Sequence, residues 1–451
     1  MIEIPGKYTT AHVMIDDLDP ESMSQIYHFV NHPAFTNPVA IMPDVHAGRG
    51  AVIGFCMEMT EKVIPGVIGV DIGCGMLSVN IGGSLPTALE ELNTRIRARI
   101  PFGQNVNEES ILNMEREFPW RRVEIMAEKF RMAYRAKFGD SFDPPHYDIN
   151  WFMDKCVHIG GNVRYHINSI GSLGGGNHFL ELGVSEKGEY WITVHSGSRN
   201  FGKRICEYWQ GRAVKFWRKD RRQDLAKEID RIKAEETDGK IIYEKIKAIK
   251  KEMKLDVGID MKGCEWLEND LSKGYLYDMI FAQTFAEVNR ETIMGSILNI
   301  LGVSETDRVA STHNFVDFQD FIIRKGAIRA YEGERCIIPF NMRDGLLICE
   351  GKSNPDWNCS APHGAGRVLS RAGARKKLDV EEFKRQMDGI YSTSVSFSTL
   401  DEAPGAYKKA SIIEAMIEPT VKIIERVKPV INMKDAGGLP PWKIKKNQRV
   451  I

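Results

Sequence analysis

Three times in this chain an apolar, strand-like segment meets a glycine turn at a side chain able to hold a metal or a phosphate, and that repetition constrains the fold more than any other feature. Val67-Ile68-Gly69-Val70 runs into Asp71-Ile72-Gly73-Cys74-Gly75. Gly171-Ser172-Leu173-Gly174-Gly175-Gly176-Asn177-His178 runs into Phe179-Leu180-Glu181, and Trp191-Ile192-Thr193-Val194 ends at His195-Ser196-Gly197-Ser198-Arg199. Apolar β-type runs bounded by glycine read as buried strands opening into tight loops. Loops held by a rigid scaffold are where chemistry concentrates. Taken singly, each has a plain alternative: Asp71 can cap a turn, Cys74 can be a small core residue, and the glycine-rich loop matches neither the Walker nor the dinucleotide pattern.

Other segments carry isolated candidates. Met42-Pro43-Asp44-Val45-His46-Ala47-Gly48-Arg49-Gly50 reads as a loop presenting an aspartate and a histidine before the chain re-enters a sheet at Ala51 to Phe55. Asp44 and His46 can support the ligands of a metal or simply bond to each other. Residues 86–140 place Leu89, Leu92 and Ile96, then Val123, Met126 and Phe130, at helical spacing. Cys156, His158 and His166 lack ligand spacing and read as packing and hydrogen-bonding residues. From 203 to 300 the pattern is helical, and Phe216 to Asp256, dense in charges of both signs, predicts a solvated helical arm.

Beyond Gly302 the chain turns β-rich, with Thr312-His313-Asn314-Phe315, a basic segment from Ile323 to Ala330 and an apolar strand from Leu346 to Cys349. In Ala361-Pro362-His363-Gly364-Ala365-Gly366-Arg367 an imidazole stands beside exposed backbone amides, with a guanidinium four residues on. That grouping suits a transferred phosphoryl group, the alternative being a helix N-terminus capped by His363. An amphipathic helix is predicted through Ile412, Met416 and Ile424.

Length and charge bound the function classes. A chain of 451 residues can bury a large core, and 61 basic against 61 acidic side chains leave no net charge, so any nucleic-acid site must be a local basic patch. Eight scattered cysteines with no CxxC pair point to a reducing compartment. No apolar run approaches the ~20 residues that span a bilayer, and the N-terminus does not resemble a signal peptide. A cytoplasmic protein with no membrane partner is expected. Mixed strands and helices without regular βαβ alternation argue an α+β fold. Residues 1–434 are expected to form a single catalytic domain with a helical insertion at 203–300, and residues 435–451 a separate tail.

Asp71, Cys74, His178, His195 and His313 together offer one carboxylate, one thiolate and three imidazoles, the inventory of a site where a thiolate bridges two divalent ions. With Asp-Ile-Gly-Cys-Gly (71–75), Gly-Gly-Asn-His-Phe-Leu-Glu (175–181), Val-His-Ser-Gly-Ser-Arg (194–199), His-Asn (313–314), His-Gly-Ala-Gly-Arg (363–367) and Asp-Glu-Ala-Pro-Gly-Ala-Tyr-Lys (401–408) in that order, the chain resembles RtcB-type RNA ligases from about Pro43 to Lys434. The resemblance implies joining of RNA 3′-phosphate or 2′,3′-cyclic phosphate ends to 5′-hydroxyl ends, in RNA repair or tRNA splicing, with GTP and two manganese ions. Zinc or cobalt would also suit these donors.

Carried over residue by residue, the resemblance makes His363 the nucleophile that accepts GMP. It assigns one ion to Cys74, His195 and His313 and the other to Asp71, Cys74 and His178. Asn177 and Asn314 would reach phosphate oxygens, and Arg199 and Arg367 would hold RNA or nucleotide phosphates. Glu181, Tyr407 and Lys434 would bind guanine, with Asn341, Gly364, Ala365 and Gly366 completing the nucleotide site. A monomer is expected. Two departures stand out: Pro339-Phe340-Asn341-Met342-Arg343-Asp344 replaces the family's Gly-Ser-Met-Gly turn, and Leu346 falls where a second nucleotide-contacting serine is expected. A further 17 residues follow Lys434, which normally ends the chain. A metal-dependent phosphodiesterase that processes RNA ends, or a non-catalytic RNA-binding relative, are the competing readings.

Overall fold

Segments such as Leu346-Leu347-Ile348-Cys349 are apolar at every position, so a sheet built from them must be covered on both faces. The computed structural model, which describes residues 1–140, 143–257 and 263–437, shows such a sheet at its centre. Its seven strands lie in the order Arg335–Pro339, Leu346–Gly351, Val421–Met433, Phe179–Ser185, Tyr190–Ser196, Gly75–Asn80 and Asp307–Thr312, all antiparallel to their neighbours. One face sends Leu77, Val79, Leu180, Ile192 and Val194 against Leu92 and Ile96 of the helix Leu89–Arg99 and Ile293 and Ile297 of the helix Asn269–Leu301. The opposite face packs Met76, Phe179, Trp191, Ile337, Leu346 and Val427 together.

A six-stranded sheet follows the order Ile2–Pro5, Thr10–Val13, Val39–His46, Ile53–Glu58, Ile322–Lys325 and Phe315–Val316. Ala327–Arg329 pairs with Ser360–Pro362 as a two-stranded ribbon that leads directly to His363. Helices and largely antiparallel sheets are segregated, the α+β arrangement expected from the sequence. Among the described residues, no helix is long and apolar enough to cross a membrane. The charged arm predicted for Phe216 to Asp256 is present as the outer part of the helix Arg199–Glu235 and the helix Gly239–Val257. Most of the tail predicted at 435–451 lies outside the described residues.

Three local expectations change, and the alternative reading of His363 as a helix N-terminus falls away. Val67 and Ile68 belong to a short helical turn, Pro65–Ile68, and not to a strand. Pro65 starts it with a preset φ and no donor to lose, and Gly69, at φ +121°, then turns the chain toward Asp71 where an added Cβ would strike the Asn314 side chain. Asp44 and His46 lie in the strand Val39–His46, not in a loop. Pro43 is tolerated there because pairing with the next strand breaks register between Ile41 and His46. No helix begins at His363, since the next one starts at Arg371. The helix through Ile412 stops at Met416, and Ile424 sits in the strand Val421–Met433; Pro419 between them breaks helical continuity.

The long helix Asn269–Leu301 does more than cover the sheet. Asn289 Nδ2 donates to Ser172 O (3.2 Å), Ser196 Oγ (3.0 Å) and Gly197 O (3.0 Å), while its Oδ1 accepts from Gly171 N at 2.8 Å. Arg290 Nη1 donates to Gly73 O at 2.7 Å and Ser196 O at 3.0 Å. Two adjacent buried side chains thus tie down all three glycine turns singled out in the sequence. Asn289→Leu would leave several buried backbone groups unpaired at about 1–3 kcal/mol each. It is expected to destabilise the protein by at least about 3 kcal/mol; an unchanged denaturation midpoint would show that the turns are held independently.

Candidate metal and nucleotide site

The three turns deliver their ligand atoms to one buried point. Cys74 Sγ lies 3.4 Å from His178 Nε2 and 3.3 Å from His195 Nε2. His178 Nε2 is 3.0 Å from Asp71 Oδ2, and His195 Nε2 is 3.3 Å from His313 Nε2. Two groups of three result, Cys74–His195–His313 and Asp71–Cys74–His178, with all ligand atoms of a group within 4.8 Å of one another and Cys74 common to both. Close approach depends on Gly174, at φ +99°, where a Cβ would lie 2.4 Å from His178 Nδ1 and 2.2 Å from the Arg199 guanidinium.

The protonation pattern explains what this cluster can do. His178 Nδ1 lies 2.8 Å from the carbonyl of Leu173, which can only accept, so Nδ1 carries a proton and Nε2, 3.0 Å from Asp71 Oδ2, faces Asp71 and Cys74. Burial holds His195 and His313 well below the usual imidazole range, so both rings are neutral. Burial, reinforced by Asp71, pushes the Cys74 thiol up. Burial also opposes ionisation of Asp71, but the hydrogen bond and charge of His178 outweigh it and keep the carboxylate below its ordinary value. Oxygen, sulfur and imidazole nitrogen atoms therefore converge where their lone pairs would repel one another unless a proton, as between His178 Nε2 and Asp71, or a metal ion sat between them. The donor set fits divalent ions of borderline softness, and a bound ion would reverse the upward shift at Cys74.

His363 stands next to this cluster, its ring centroid 4.7 Å from that of His313. Its Nδ1 lies 2.7 Å from Oδ2 of Asp44, which is fully buried. The carboxylate accepts the Nδ1 proton and orients the ring, so that Nε2 points away from Asp44. Of the two readings of Asp44 and His46, neither is quite what the structure shows: Asp44 serves His363, and His46 Nδ1 donates to the Asp44 backbone carbonyl at 2.9 Å.

A cavity runs from these histidines across the central sheet. Its walls include Asn177, Glu181, Asn314, Asn341, Gly364, Ala365, Gly366, Arg367, Tyr407 and Lys434, all of the nucleotide-site residues expected from the resemblance. At its polar end Glu402 accepts from Lys434 Nζ (2.9 Å), Arg371 Nη1 (2.6 Å) and the Tyr407 hydroxyl (2.7 Å). Burial would raise the Glu402 pKa, but the Lys434, Arg371 and Arg367 cations outweigh it and hold it at about 2. Arg367 is drawn inward, donating to Leu369 O, Asp401 O and the Tyr407 hydroxyl. Asn314 is also engaged, its Oδ1 accepting from Gly326 N at 3.0 Å.

The two departures resolve differently. Asn341 is closed on its own turn, with Oδ1 accepting from Arg343 N and Asp344 N, both at 3.0 Å, and Nδ2 donating to Asp344 at 2.7 Å. Leu346 is buried in the apolar cluster with Met76 and Phe179, and it is absent from the cavity wall. After Lys434 the chain bends away, so that Asp435 lies beside Gly103 and Gly175 in a second cleft. That cleft opens on Asp71 and carries Arg164, Tyr165, Arg199, Lys203 and Arg204. Arg199 itself donates to Ser172 Oγ (3.0 Å) and Gly103 O (2.8 Å).

Several site residues were not read from the sequence. Glu402 lay inside a quoted motif without a role, Arg371 follows a motif by four residues, and Asn432 sits in an apolar strand with no local signal. Asn289 and Arg290 were visible only as positions in a helical pattern.

A ligand cluster buried beneath a carboxylate-backed histidine marks a candidate metalloenzyme. Residues 25–435 match the family model described as tRNA-splicing ligase RtcB, and the chain belongs to the RtcB family. The RNA-splicing ligase RtcB of Escherichia coli (strain K12) is 28% identical over 437 residues, covering 92% of this chain and 95% of that protein. The tRNA-splicing ligase RtcB of Archaeoglobus fulgidus is 24% identical over 502 residues, covering 95% of this chain and 94% of that protein. That of Nanoarchaeum equitans is 24% identical over 469 residues, with 89% of each chain covered.

Two outcomes test the geometry. Cys74→Ser should lower binding of both divalent ions, whereas Asp71→Ala should chiefly remove one; metal titration by calorimetry reads the stoichiometry, and equal, negligible effects would return the turn to a core role. For Glu402, a folded pKa of about 2 lies below the ordinary 4.5. Its stabilising contribution is therefore complete above about 4.5 and lost as pH falls toward 2. Glu402→Gln is expected to cost on the order of 3 kcal/mol at neutral pH, with the gap from wild type narrowing across that acid window. A gap independent of pH would show that Glu402 is not held ionised.

Proposed function

We propose that this chain is a GTP- and manganese-dependent RNA ligase that joins RNA 3′-phosphate or 2′,3′-cyclic phosphate ends to 5′-hydroxyl ends through a guanylylated His363. The observation that carries the reading is His363 itself: an imidazole oriented by Asp44 at 2.7 Å, beside both a candidate metal cluster and a polar-ended cavity.

In the first step the His363 Nε2 lone pair attacks the α-phosphorus of GTP, a P–N bond forms and pyrophosphate leaves. The ring becomes cationic as it is phosphorylated, and the buried Asp44 carboxylate compensates that charge through Nδ1–H. An RNA 3′-phosphate oxygen then attacks the same phosphorus and the P–N bond breaks, so GMP passes to the RNA. Finally the 5′-hydroxyl oxygen attacks the activated 3′-phosphate, forming the new phosphodiester and expelling GMP. Cyclic ends are first opened to the 3′-phosphate. Divalent ions held by Cys74, His195 and His313 and by Asp71, Cys74 and His178 would neutralise phosphate oxygens and lower the pKa of an attacking hydroxyl or water. The cleft with Arg164, Arg199, Lys203 and Arg204 beside Tyr165 supports an RNA substrate, since cationic side chains attract the backbone and an aromatic face can stack a base.

Incubation with α-labelled GTP and manganese should label the wild-type protein covalently. His363→Ala should abolish labelling, and Asp44→Asn, which misorients the ring, should slow it by about 100-fold or more. A wild-type protein that opens cyclic phosphate ends yet never takes up label would replace the ligase reading with the phosphodiesterase one.

A further inference from the structure

The cavity contains a polar pair in which Glu181 has an expected role toward guanine and its partner Asn432 has none. Asn432 and Glu181 are direct cross-strand partners on the neighbouring strands Val421–Met433 and Phe179–Ser185, so their side chains share one face of the sheet. Asn432 Nδ2 donates to Glu181 Oε2 at 2.8 Å. This leaves Glu181 Oε1 and Asn432 Oδ1 buried without a hydrogen-bond partner among the described residues, in two residues that both line the cavity. A buried acceptor without a donor is costly, and two side by side in a ligand cavity are best explained by donors that arrive with the ligand. Burial pushes the Glu181 carboxyl up to about 8 despite Asn432 and Lys434, and donors arriving with a ligand would draw it back down and restore the acceptor.

We propose that Asn432 is a base-selecting residue that acts with Glu181 to read the N1–H and 2-amino edge of guanine. This rests on the nucleotide reading of the cavity given above. Guanine presents two adjacent donors on that edge, matching two acceptor oxygens on adjacent strands. Adenine presents a lone pair at N1 and no 2-amino group, so it would leave one oxygen unpaired and face another with a lone pair. Hypoxanthine keeps N1–H but lacks the 2-amino donor, so the GMP-to-IMP ratio isolates the second contact. Asn341, the amide of the altered loop in the cavity wall, is closed on its own turn. Base selection therefore moves from the altered loop to the strand end that carries Asn432 and Lys434.

The test is calorimetric titration of the full-length protein with GMP, IMP and AMP. Wild type should bind GMP about 10-fold or more tightly than IMP, with AMP weaker still. Asn432→Ala should bind GMP only as well as IMP, leaving IMP affinity near the wild-type value. Asn432→Ser, which keeps a small side chain on the strand, is the second variant should the alanine protein fail to fold, and it should narrow the ratio in the same way. A wild-type GMP-to-IMP ratio near one overturns the proposal without any variant, and so does a folded variant that keeps the wild-type ratio. Guanine selection that depends on Asn432, in a protein that forms no His363 adduct, would overturn the ligase reading alone. Adduct formation with no role for Asn432 would overturn this inference alone, and failure of wild type to bind any of the three nucleotides would overturn both.

Discussion

The site depends on one pair of adjacent helix residues. Asn289 and Arg290 reach from the helix Asn269–Leu301 to backbone groups of the turns at 171–172, 196–197 and 73. Those turns are far apart in the chain, and each is rich in glycine, so its own conformational entropy works against a fixed shape. Hydrogen bonds from a rigid, buried helix supply what local sequence cannot. Apart from the bond to the Ser196 hydroxyl, each bond that holds the turns also satisfies a backbone group which would otherwise be stranded away from water, so the clamp and the burial are mutually required.

Around that clamp the site divides into two electrostatic halves. One gathers the candidate ligands Asp71, Cys74, His178, His195 and His313; the other gathers Lys434, Arg367 and Arg371 around Glu402. The first half calls for cations, and the second already holds its own. His363 stands by the ligand half with Asp44 behind it, on a short ribbon, Ala327–Arg329 with Ser360–Pro362, that belongs to neither large sheet. Phosphoryl transfer needs compensation of negative charge on all sides of the phosphorus, and a cavity running between these halves is suited to provide it.

Motifs in the sequence carried the ligand inventory because glycine turns and strand ends leave strong local marks, as at Asp71 to Gly75 and Val194 to Arg199. The same local signals misled where the backbone was decided by context. Val67 and Ile68 look like a strand by composition, yet Pro65 commits them to a helical turn. Ile424 continues a helical spacing, yet Pro419 hands it to a strand whose partners, Leu346–Gly351 and Phe179–Ser185, lie far from it in the chain.

By itself, then, the sequence determined which atoms are available for chemistry and that their carriers end at strand margins, since residue identity and short-range glycine and proline effects are local properties. Tertiary structure alone decided which of them meet. It paired Asp44 with His363 across 319 residues, closed Asn341 on its own turn, removed Leu346 to an apolar cluster and set Asn432 opposite Glu181. Those outcomes depend on strand register and on burial, where a one-residue slip sends a side chain to the other face of the sheet, and no local pattern encodes the position of a partner strand.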